Sequence, residues 1–339
     1  DLSSCSESEL VVLKKNFHQL VDFRDNRTSI NPISNLVSVF RLLKVIKLLK
    51  PRALSLVSPK PIIFGGLASF LYKVDKVFFT ISGMGYVFID KSMKAFLLQK
   101  VVFVIYRLIF ARKNCTVIFQ NRDDRDLFLS EKLVDPRRTM IIQGNGINTS
   151  LFKRKNFLLE PITFLFASRL LLDKGIMEFV RAAESISPGK AIFKVAGGVD
   201  RSNPNSITEP QLELIKESVN IDYLGKIKYE YMSEVFQSSN IFVLPSYREG
   251  LPQVALEAAS CSMPLILSDV NGCRDCVLPN KTGLLVKERN WMELRDAFNY
   301  FINNSSKIET MGISSRQHIK NFFSEDIIHK QFLELYRSF

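Results

Sequence analysis

Short apolar runs alternate with amphipathic stretches through the second half of the chain. The runs are rich in β-branched and aromatic residues and are bounded by Gly, Pro, Asn or Asp; they cover 162–167, 191–196, 221–224, 241–244 and 264–267. Residues 175–186 follow the first run and have the apolar spacing of a helix. This order predicts a parallel sheet covered by helices. Ligands of such sheets bind beyond the carboxyl ends of the strands.

The segment PSYREGLPQVALEAAS, after the run 241–244, holds two glutamates eight positions apart. Pro252 suits the first turn of a helix, and the predicted helix 252–261 is otherwise small and apolar. A lone carboxylate on such a helix is costly, so Glu257 needs a partner, and a ligand hydroxyl would serve. Glu249 precedes the helix, whose N-terminus favours a phosphate-bearing ligand. The alternative is a solvated helix face, which the apolar neighbours of Glu257 make less favourable.

Other candidate residues follow the first, second and third runs. Arg169 and Lys174 lie in SRLLLDKG, where two cations could neutralise a diphosphate and stabilise a leaving group. The alternative is that both are solvated loop cations. Gly197 and Gly198 follow the second run, where the backbone could approach a ligand closely. Lys226 lies in LGKI, after the third run, and is a weaker signal.

These motifs resemble those of a known enzyme family. The E-x7-E pattern in REGLPQVALEAAS is similar to the signature of retaining family 4 glycosyltransferases with the GT-B fold. The resemblance implies an α/β chain with two Rossmann-like, doubly wound domains facing a cleft. It places Glu249 at the donor sugar, Glu257 on the nucleotide ribose, and Arg169 and Lys174 on the leaving diphosphate. It assigns further donor contacts to Gly197, Gly198, Lys226, Gly250 and Leu251.

The same resemblance predicts the domain organisation. We expect an acceptor-side domain over 1–155, a nucleotide-sugar-binding domain over 156–323 and a C-terminal helix over 324–339 that crosses back to the first domain. A doubly wound domain normally opens with a strand and a Gly-rich turn, which residues 1–30 do not show. We therefore expect the first domain to lack its opening strand-helix unit.

The first half resembles a narrower group within the family. TISGMGYVF, VIFQNRDDRDLF and QGNGINTSLF are similar to segments of bacterial enzymes that extend lipid-linked surface glycans. This implies a polyprenyl-diphosphate-linked acceptor near Ser82, Gly83, Gly85, Lys60 and Asn145. Many other relatives have a histidine where Ser82 and Gly83 stand, so histidine-based assistance is not expected.

The charge is divided unevenly between the two halves. Residues 1–160 carry 26 Lys and Arg against 13 Asp and Glu, or +13, and the remainder carries 20 against 21, or −1. Nucleic acid, an anionic membrane or an acidic substrate would each match such a surface. In 36–50, Arg41, Lys44 and Lys47 recur every third residue among aliphatic residues, as in helices that lie on bilayers. The alternative is that this helix and residues 96–110 only pack on a sheet.

The remaining patterns argue against several other functions. Lys100 and Arg107 interrupt 96–110, so it is too short to span a bilayer. No nucleic-acid motif is recognisable. Cys273 and Cys276 have no second pair for zinc, and an odd total of five cysteines suits reduced thiols in the cytosol. We expect no metal and no cofactor besides the sugar donor.

The resemblance implies a retaining glycosyltransferase that moves a hexose or N-acetylhexosamine from a UDP-sugar to a polyprenyl-diphosphate-linked glycan during surface polysaccharide or capsule assembly. It would act in the cytoplasm, peripherally on the inner face of the plasma membrane. Two alternatives remain open: a UDP-sugar 2-epimerase with the same fold, and a nucleotide-binding protein without catalysis.

Overall fold

The computed structural model describes residues 32–83, 93–153, 160–201 and 203–338, with the side chains of 32–36 and 94–95 excepted. These residues divide into two compact units. The first comprises 32–81, 93–118 and 128–140, and the second comprises 82–83, 119–127 and 141–338 within the described ranges. The predicted boundary at 155 and the predicted gap at the start of the first domain lie outside the described residues. The crossing of the last helix stays a prediction.

The first sheet has the strand order β1-β2-β3-β4, and β1 pairs with β2 in parallel. Its strands are β1 (Ala53–Val57), β2 (Lys76–Ile81), β3 (Cys115–Phe119) and β4 (Thr139–Ile141). The helices in this part of the chain are α1 (Pro32–Leu49), α2 (Pro59–Leu71), α3 (Met93–Phe110) and α4 (Arg122–Ser130). Aromatic rings fill the core: Tyr106 stacks on Phe110 at 5.2 Å between ring centres, and Phe79 meets the same ring edge-on at 5.1 Å.

Both long apolar stretches of the first half form helices, as predicted. Helix α1 packs against α2, which in turn contacts β1 and β2. Among the described helices, none combines the length and the apolarity that a membrane span requires. The strands and helices confirm the α/β class of this half.

The second sheet has the order β10-β9-β8-β5-β6-β7, and every neighbouring pair is parallel. All five predicted runs are strands. The six strands are β5 (Thr163–Ala167), β6 (Ile192–Ala196), β7 (Ile221–Gly225), β8 (Ile241–Leu244), β9 (Leu265–Ser268) and β10 (Gly283–Val286). The helices are α5 (Ile176–Glu184), α6 (Glu209–Lys216), α7 (Met232–Gln237), α8 (Gln253–Ser260), α9 (Trp291–Asn303), α10 (Ser306–Phe322) and α11 (Glu325–Arg337).

The central strands of this sheet are buried on both faces. Every residue of β5, β8 and β9 is buried, as expected for a parallel sheet between two helical layers. Phe164 of β5 stacks on Phe193 of β6 at 5.2 Å, and Phe298 of α9 packs on Phe164 at 4.6 Å. This core holds the carboxyl ends of β5, β6 and β8 side by side, where the predicted site residues begin.

Candidate active site

A cavity of about 740 Å³ opens at the carboxyl edge of the second sheet. Its lining comes from the loops after β5, β6, β7 and β8 and from helix α8, all in the second unit. The volume lies within the usual range of ligand sites. Of the predicted donor-side residues, Arg169, Lys174, Gly197, Gly198, Lys226, Glu249, Leu251 and Glu257 line it. The sheet thus brings together residues that lie up to 88 positions apart, from 169 to 257.

Glu249 and Lys174 form an ion pair within this cavity. Lys174 Nζ lies 2.6 Å from Glu249 Oε1, and the Lys174 and Glu249 side chains are only 20% and 11% exposed. Ser246 Oγ donates a second hydrogen bond to the same oxygen at 2.7 Å. The backbone N–H of Tyr247 donates to Asp173 O at 2.9 Å, which joins the two loops that carry the pair. Glu249, predicted at the sugar, and Lys174, predicted at the diphosphate, are therefore bonded directly to each other.

Arg169 is the more exposed of the two predicted cations in the cavity. Its side chain is 61% exposed, and Nη1 lies 2.9 Å from Asp200 Oδ2, in the loop after β6. Arg169 was predicted to bind the diphosphate, and its pairing with Asp200 was not predicted. An exposed ion pair of this kind contributes little to stability. Its guanidinium can therefore exchange the carboxylate for a phosphate at small cost.

Glu257 is buried on α8, with 4% of its surface exposed. The helix begins at Gln253, one residue later than predicted, because Pro252 has extended backbone angles (φ −74°, ψ 95°). Tyr229 Oη donates a hydrogen bond to Glu257 Oε1 at 3.3 Å. Burial raises the pKa of Glu257 to about 7, although hydrogen bonds from Tyr229 and Gln253 oppose the shift. Burial and the neighbouring carboxylate raise the pKa of Tyr229 to about 12, so the phenol remains a donor.

The glycines after β6 are needed first for packing within the protein. A Cβ on Gly197 would collide with the backbone oxygen of Ser168, and one on Gly198 would come within 3.2 Å of the Lys226 side chain. The loops after β5, β6 and β7 can lie this close only because these side chains are missing. Their backbones form one wall of the cavity.

The predicted acceptor-side residues are more dispersed. Ser82 and Gly83 lie beside Gly250, since a Cβ on Gly250 would come within 3.1 Å of Gly83 Cα. Asn145 is exposed, in a loop whose neighbour Gly146 accepts a hydrogen bond from Gln253 Nε2 at 3.3 Å. Lys60 lies in the first turn of α2, in the first unit. Gly85 lies outside the described residues.

Sequence reasoning missed Tyr229, Ser246 and Asp200. Ser246 is the second residue after β8 at the carboxyl edge, so strand position alone would have indicated it. Tyr229 lies in a short 3-10 turn before α7, and the sequence around it has no distinguishing pattern. Its role depends on a contact across 28 positions. Within the ranges that the structure describes, no group of three His, Cys, Asp or Glu side chains is arranged to hold a metal ion.

The two glutamates of the E-x7-E segment line one cavity with Arg169 and Lys174 at the carboxyl edge of a parallel sheet. The chain belongs to the family described as "Glycosyl transferases group 1", whose model matches residues 148–318, half of the 339 residues. This confirms the predicted enzyme class and the family resemblance.

Several named relatives extend over most of the chain. It is 29% identical over 332 residues to the N,N'-diacetylbacillosaminyl-diphospho-undecaprenol alpha-1,3-N-acetylgalactosaminyltransferase of Campylobacter jejuni, covering 94% of this chain and 85% of the relative. It is 28% identical to the UDP-Gal:alpha-D-GlcNAc-diphosphoundecaprenol alpha-1,3-galactosyltransferase of Escherichia coli, covering 76% and 68%. The Staphylococcus aureus capsular polysaccharide biosynthesis glycosyltransferase CapM is 24% identical, with 90% and 82% covered.

Solved structures show the same architecture. Anabaena HepE in complex with UDP superposes with a TM-score of 0.79 at 15% identity, covering 99% of this chain and 90% of that one. Sucrose-phosphate synthase from Thermosynechococcus elongatus gives a TM-score of 0.77 at 22% identity, covering 93% and 82%. At these identities the likeness bears on the fold alone. It confirms the prediction of the GT-B fold, with its two Rossmann-like α/β domains.

Proposed function

We propose that this protein is a retaining glycosyltransferase that moves an N-acetylhexosamine or hexose from a UDP-sugar to a polyprenyl-diphosphate-linked glycan. The observation that carries the proposal is the cavity in which the Lys174–Glu249 pair and the buried Glu257 lie together. The names of two relatives support the acceptor class, since both enzymes are named for a sugar linked to diphospho-undecaprenol. The name of the Escherichia coli relative, which begins with UDP-Gal, supports the nucleotide.

The nucleoside end of the donor would bind at Glu257. A buried carboxylate that already accepts from Tyr229 has further lone pairs for the two ribose hydroxyls, and such charge-assisted bonds are strong. Lys226 and the glycines after β6 line the same cavity. Binding the ribose would replace the unfavourable burial of Glu257 with paired hydrogen bonds.

The diphosphate would lie against Arg169, Lys174 and the N-terminus of α8, where Gly250 and Leu251 precede the helix. These positive groups take the role that a divalent cation has in other glycosyltransferases. Lys174 would then lie between Glu249 and the phosphate. Because negative charge grows on the phosphate as the bond breaks, Lys174 would stabilise the transition state more than the bound donor.

In the transfer step, the bond between the anomeric carbon and the leaving phosphate oxygen breaks, and the acceptor hydroxyl oxygen bonds to that carbon on the same face. The acceptor proton passes to an oxygen of the departing diphosphate. The described lining of the cavity contains no histidine that could act as the base instead. Glu249 would position the sugar and hold Lys174 in place.

Ser82, Gly83 and Asn145 would contact the acceptor, and the acceptor contacts of Gly85 and Lys60 stay predictions from the sequence. The proximity of Ser82 and Gly83 to Gly250, next to the acid of the proposed sugar site, supports the first two. The lipid portion of such an acceptor resides in a membrane. The enzyme would therefore work as a peripheral protein on the cytoplasmic face of the plasma membrane, in capsule or related surface glycan assembly.

Two surfaces of the first unit support membrane contact. The basic stripe, Arg41, Lys44 and Lys47, is exposed along α1. The apolar stripe is exposed along α3 at a helical spacing of three or four: Met93, Leu97, Val101, Val104 and Leu108 are 80%, 68%, 49%, 63% and 57% exposed. The opposite side of α3 is buried in the core through Phe103, Tyr106 and Phe110. An exposed apolar stripe on a unit with excess positive charge fits an anionic lipid surface.

A donor screen tests the function. The protein is incubated with a panel of nucleotide sugars and a short-chain polyprenyl-diphosphate glycan, UDP release is followed, and the anomeric configuration of the product is read by NMR. We expect release that depends on both substrates and a product with the donor's anomeric configuration. An inverted product would refute the retaining mechanism. Free epimerised sugar nucleotide without acceptor, or binding without turnover, would refute the transferase proposal.

A further inference from the structure

The loop that carries Glu249 is held by two buried polar side chains outside the E-x7-E segment. Asn121, the residue before α4, and Asp124, in its first turn, are 0% and 1% exposed. Both belong to the second unit, with Glu249 and its neighbours. Polar side chains this deeply buried are costly unless their hydrogen bonds are satisfied. The partners of this pair are the residues immediately before and after Glu249.

The carboxamide of Asn121 uses all of its polar atoms. Oδ1 accepts from the backbone N–H of Asp124 at 2.7 Å, as a helix N-cap does. Nδ2 donates to Asp124 Oδ2 at 3.1 Å and to the backbone oxygen of Gly250 at 2.7 Å. One side chain therefore caps α4 and holds the Gly250 peptide. A carboxylate at this position would lack both donors while keeping the same shape.

Asp124 holds the other side of the loop. Its Oδ1 lies 3.2 Å from Arg248 Nη2, and the Arg248 side chain is 21% exposed. Asp124 thus bridges Asn121 and Arg248, so the residues on either side of Glu249 are tied to one buried pair. An ion pair with one wholly buried partner leaves an uncompensated charge if the other is removed.

Close backbone packing restrains the same loop from two further directions. A Cβ on Gly250 would collide with the backbone oxygen of Ser82. A Cβ on Gly272 would come within 2.7 Å of the backbone oxygen of Glu249. The loop is therefore confined by backbone on two sides, while Asn121 and Asp124 provide its polar attachment. The ion pair between Glu249 and Lys174 then acts on a backbone that is already fixed.

We propose that Asn121 and Asp124 are positioning residues that fix the position of the Glu249 loop and, through it, the placement of the Lys174–Glu249 pair. The inference rests on the proposed function for its effect on turnover, although the attachment itself does not. Neither residue lines the donor cavity. Their loss should therefore reduce the rate of transfer while nucleotide binding at Glu257 is retained. A misplacement of about 1 Å can lower a rate on the order of 100-fold.

The test compares Asn121→Asp and Asp124→Asn with Asp123→Asn. Asp123 precedes Asp124 on the same helix turn, but its pair with Arg274 is exposed on both sides, at 42% and 48%. Trypsin cleavage after Arg248, followed by mass spectrometry, measures how firmly the loop is held without any substrate. Cleavage after Arg181, within helix α5, serves as the reference for general unfolding. UDP affinity by calorimetry and kcat with the donor found in the screen complete the set.

We expect Asn121→Asp to accelerate cleavage after Arg248 several-fold and to lower kcat by about 10- to 100-fold, with UDP affinity within about twofold of the parent. Asp124→Asn should change both quantities in the same direction, since it removes the charge opposite Arg248 and turns one of the two accepting oxygens into a donor. Asp123→Asn should change none of these. Unchanged cleavage at Arg248, or equal losses of kcat and UDP affinity, would overturn the inference. If no donor supports turnover by the parent protein, the proposed function fails and the cleavage rates alone decide the attachment.

Discussion

Acidification from pH 8 to pH 6 should weaken the binding of a nucleotide sugar through Glu257. Burial raises the pKa of this carboxyl to about 7 in the free protein. Ribose hydroxyls donate to the ionised form, so binding at lower pH must first remove a proton. With a pKa of about 7, roughly nine-tenths of the groups are ionised at pH 8 and roughly one-tenth at pH 6. The affinity should therefore fall on the order of tenfold, or about 1.4 kcal/mol.

The same carboxyl should affect stability with the opposite sign. Its folded pKa of about 7 lies above the ordinary value of 4.5, so the folded state binds the proton more tightly. The stability from this preference is fully present below pH 4.5 and is lost as the pH rises through 7. A shift of this size corresponds to about 3 kcal/mol. Glu257→Gln should therefore increase the free energy of unfolding at pH 8 by up to about 3 kcal/mol while it weakens nucleotide binding by about 1.5 to 3 kcal/mol.

Isothermal titration calorimetry with a UDP-sugar measures the binding effect. The diphosphate of a UDP-sugar is a diester, so the ligand itself does not titrate between pH 6 and pH 8, and buffers with different ionisation enthalpies count the proton released. Urea unfolding at pH 5 and pH 8 measures stability. Glu309→Gln, on the exposed first turn of α10, is the matched control and should change neither quantity.

An affinity that is equal at pH 6 and pH 8 would refute the reasoning, and so would a Glu257→Gln variant that keeps the parent's pH dependence. Unchanged UDP affinity in that variant would refute the assignment of Glu257 to the ribose hydroxyls.

Further outcomes concern the cavity cations and the membrane surfaces. Lys174→Ala and Arg169→Ala should each lower kcat more than donor affinity, since charge builds on the diphosphate as the bond breaks; equal losses would mean that both only bind. Tyr229→Phe should raise the pKa of Glu257 further, because the phenol donates to its carboxylate, and an unchanged pH profile would contradict this. Replacing Arg41, Lys44 and Lys47 of the basic stripe with glutamine should release the protein from anionic liposomes. The change should slow transfer to a long polyprenyl acceptor but leave transfer to a short soluble acceptor unchanged. Each cation contributes on the order of 1 kcal/mol, screened by salt. Sedimentation indifferent to this change and to salt would argue for an ordinary solvated surface. Replacing Leu97, Val101 and Val104 of the apolar stripe with serine should likewise reduce liposome binding. Unaltered binding would show that this face of α3 does not contact the membrane.

The local pattern of the chain determined the elements of the second half. The runs from 162–167 to 264–267 are strands within one residue at each end, because short and mostly apolar segments between turn residues bury their side chains well inside a covered parallel sheet. Because the strands are parallel, the loops that follow them lie at a single edge of the sheet. The grouping of Arg169, Lys174, Glu249 and Glu257 around one cavity follows from that rule.

The pairing of side chains was decided by the tertiary structure alone. Nothing near Glu257 in sequence indicates Tyr229, and nothing near Glu249 indicates Asn121 or Asp124, which lie 128 and 125 positions earlier. Periodicity records which face of an element is apolar, but a hydrogen bond depends on the distance between elements that the sheet brings together. The chain therefore specifies which groups it carries, and the packed fold specifies which of them meet.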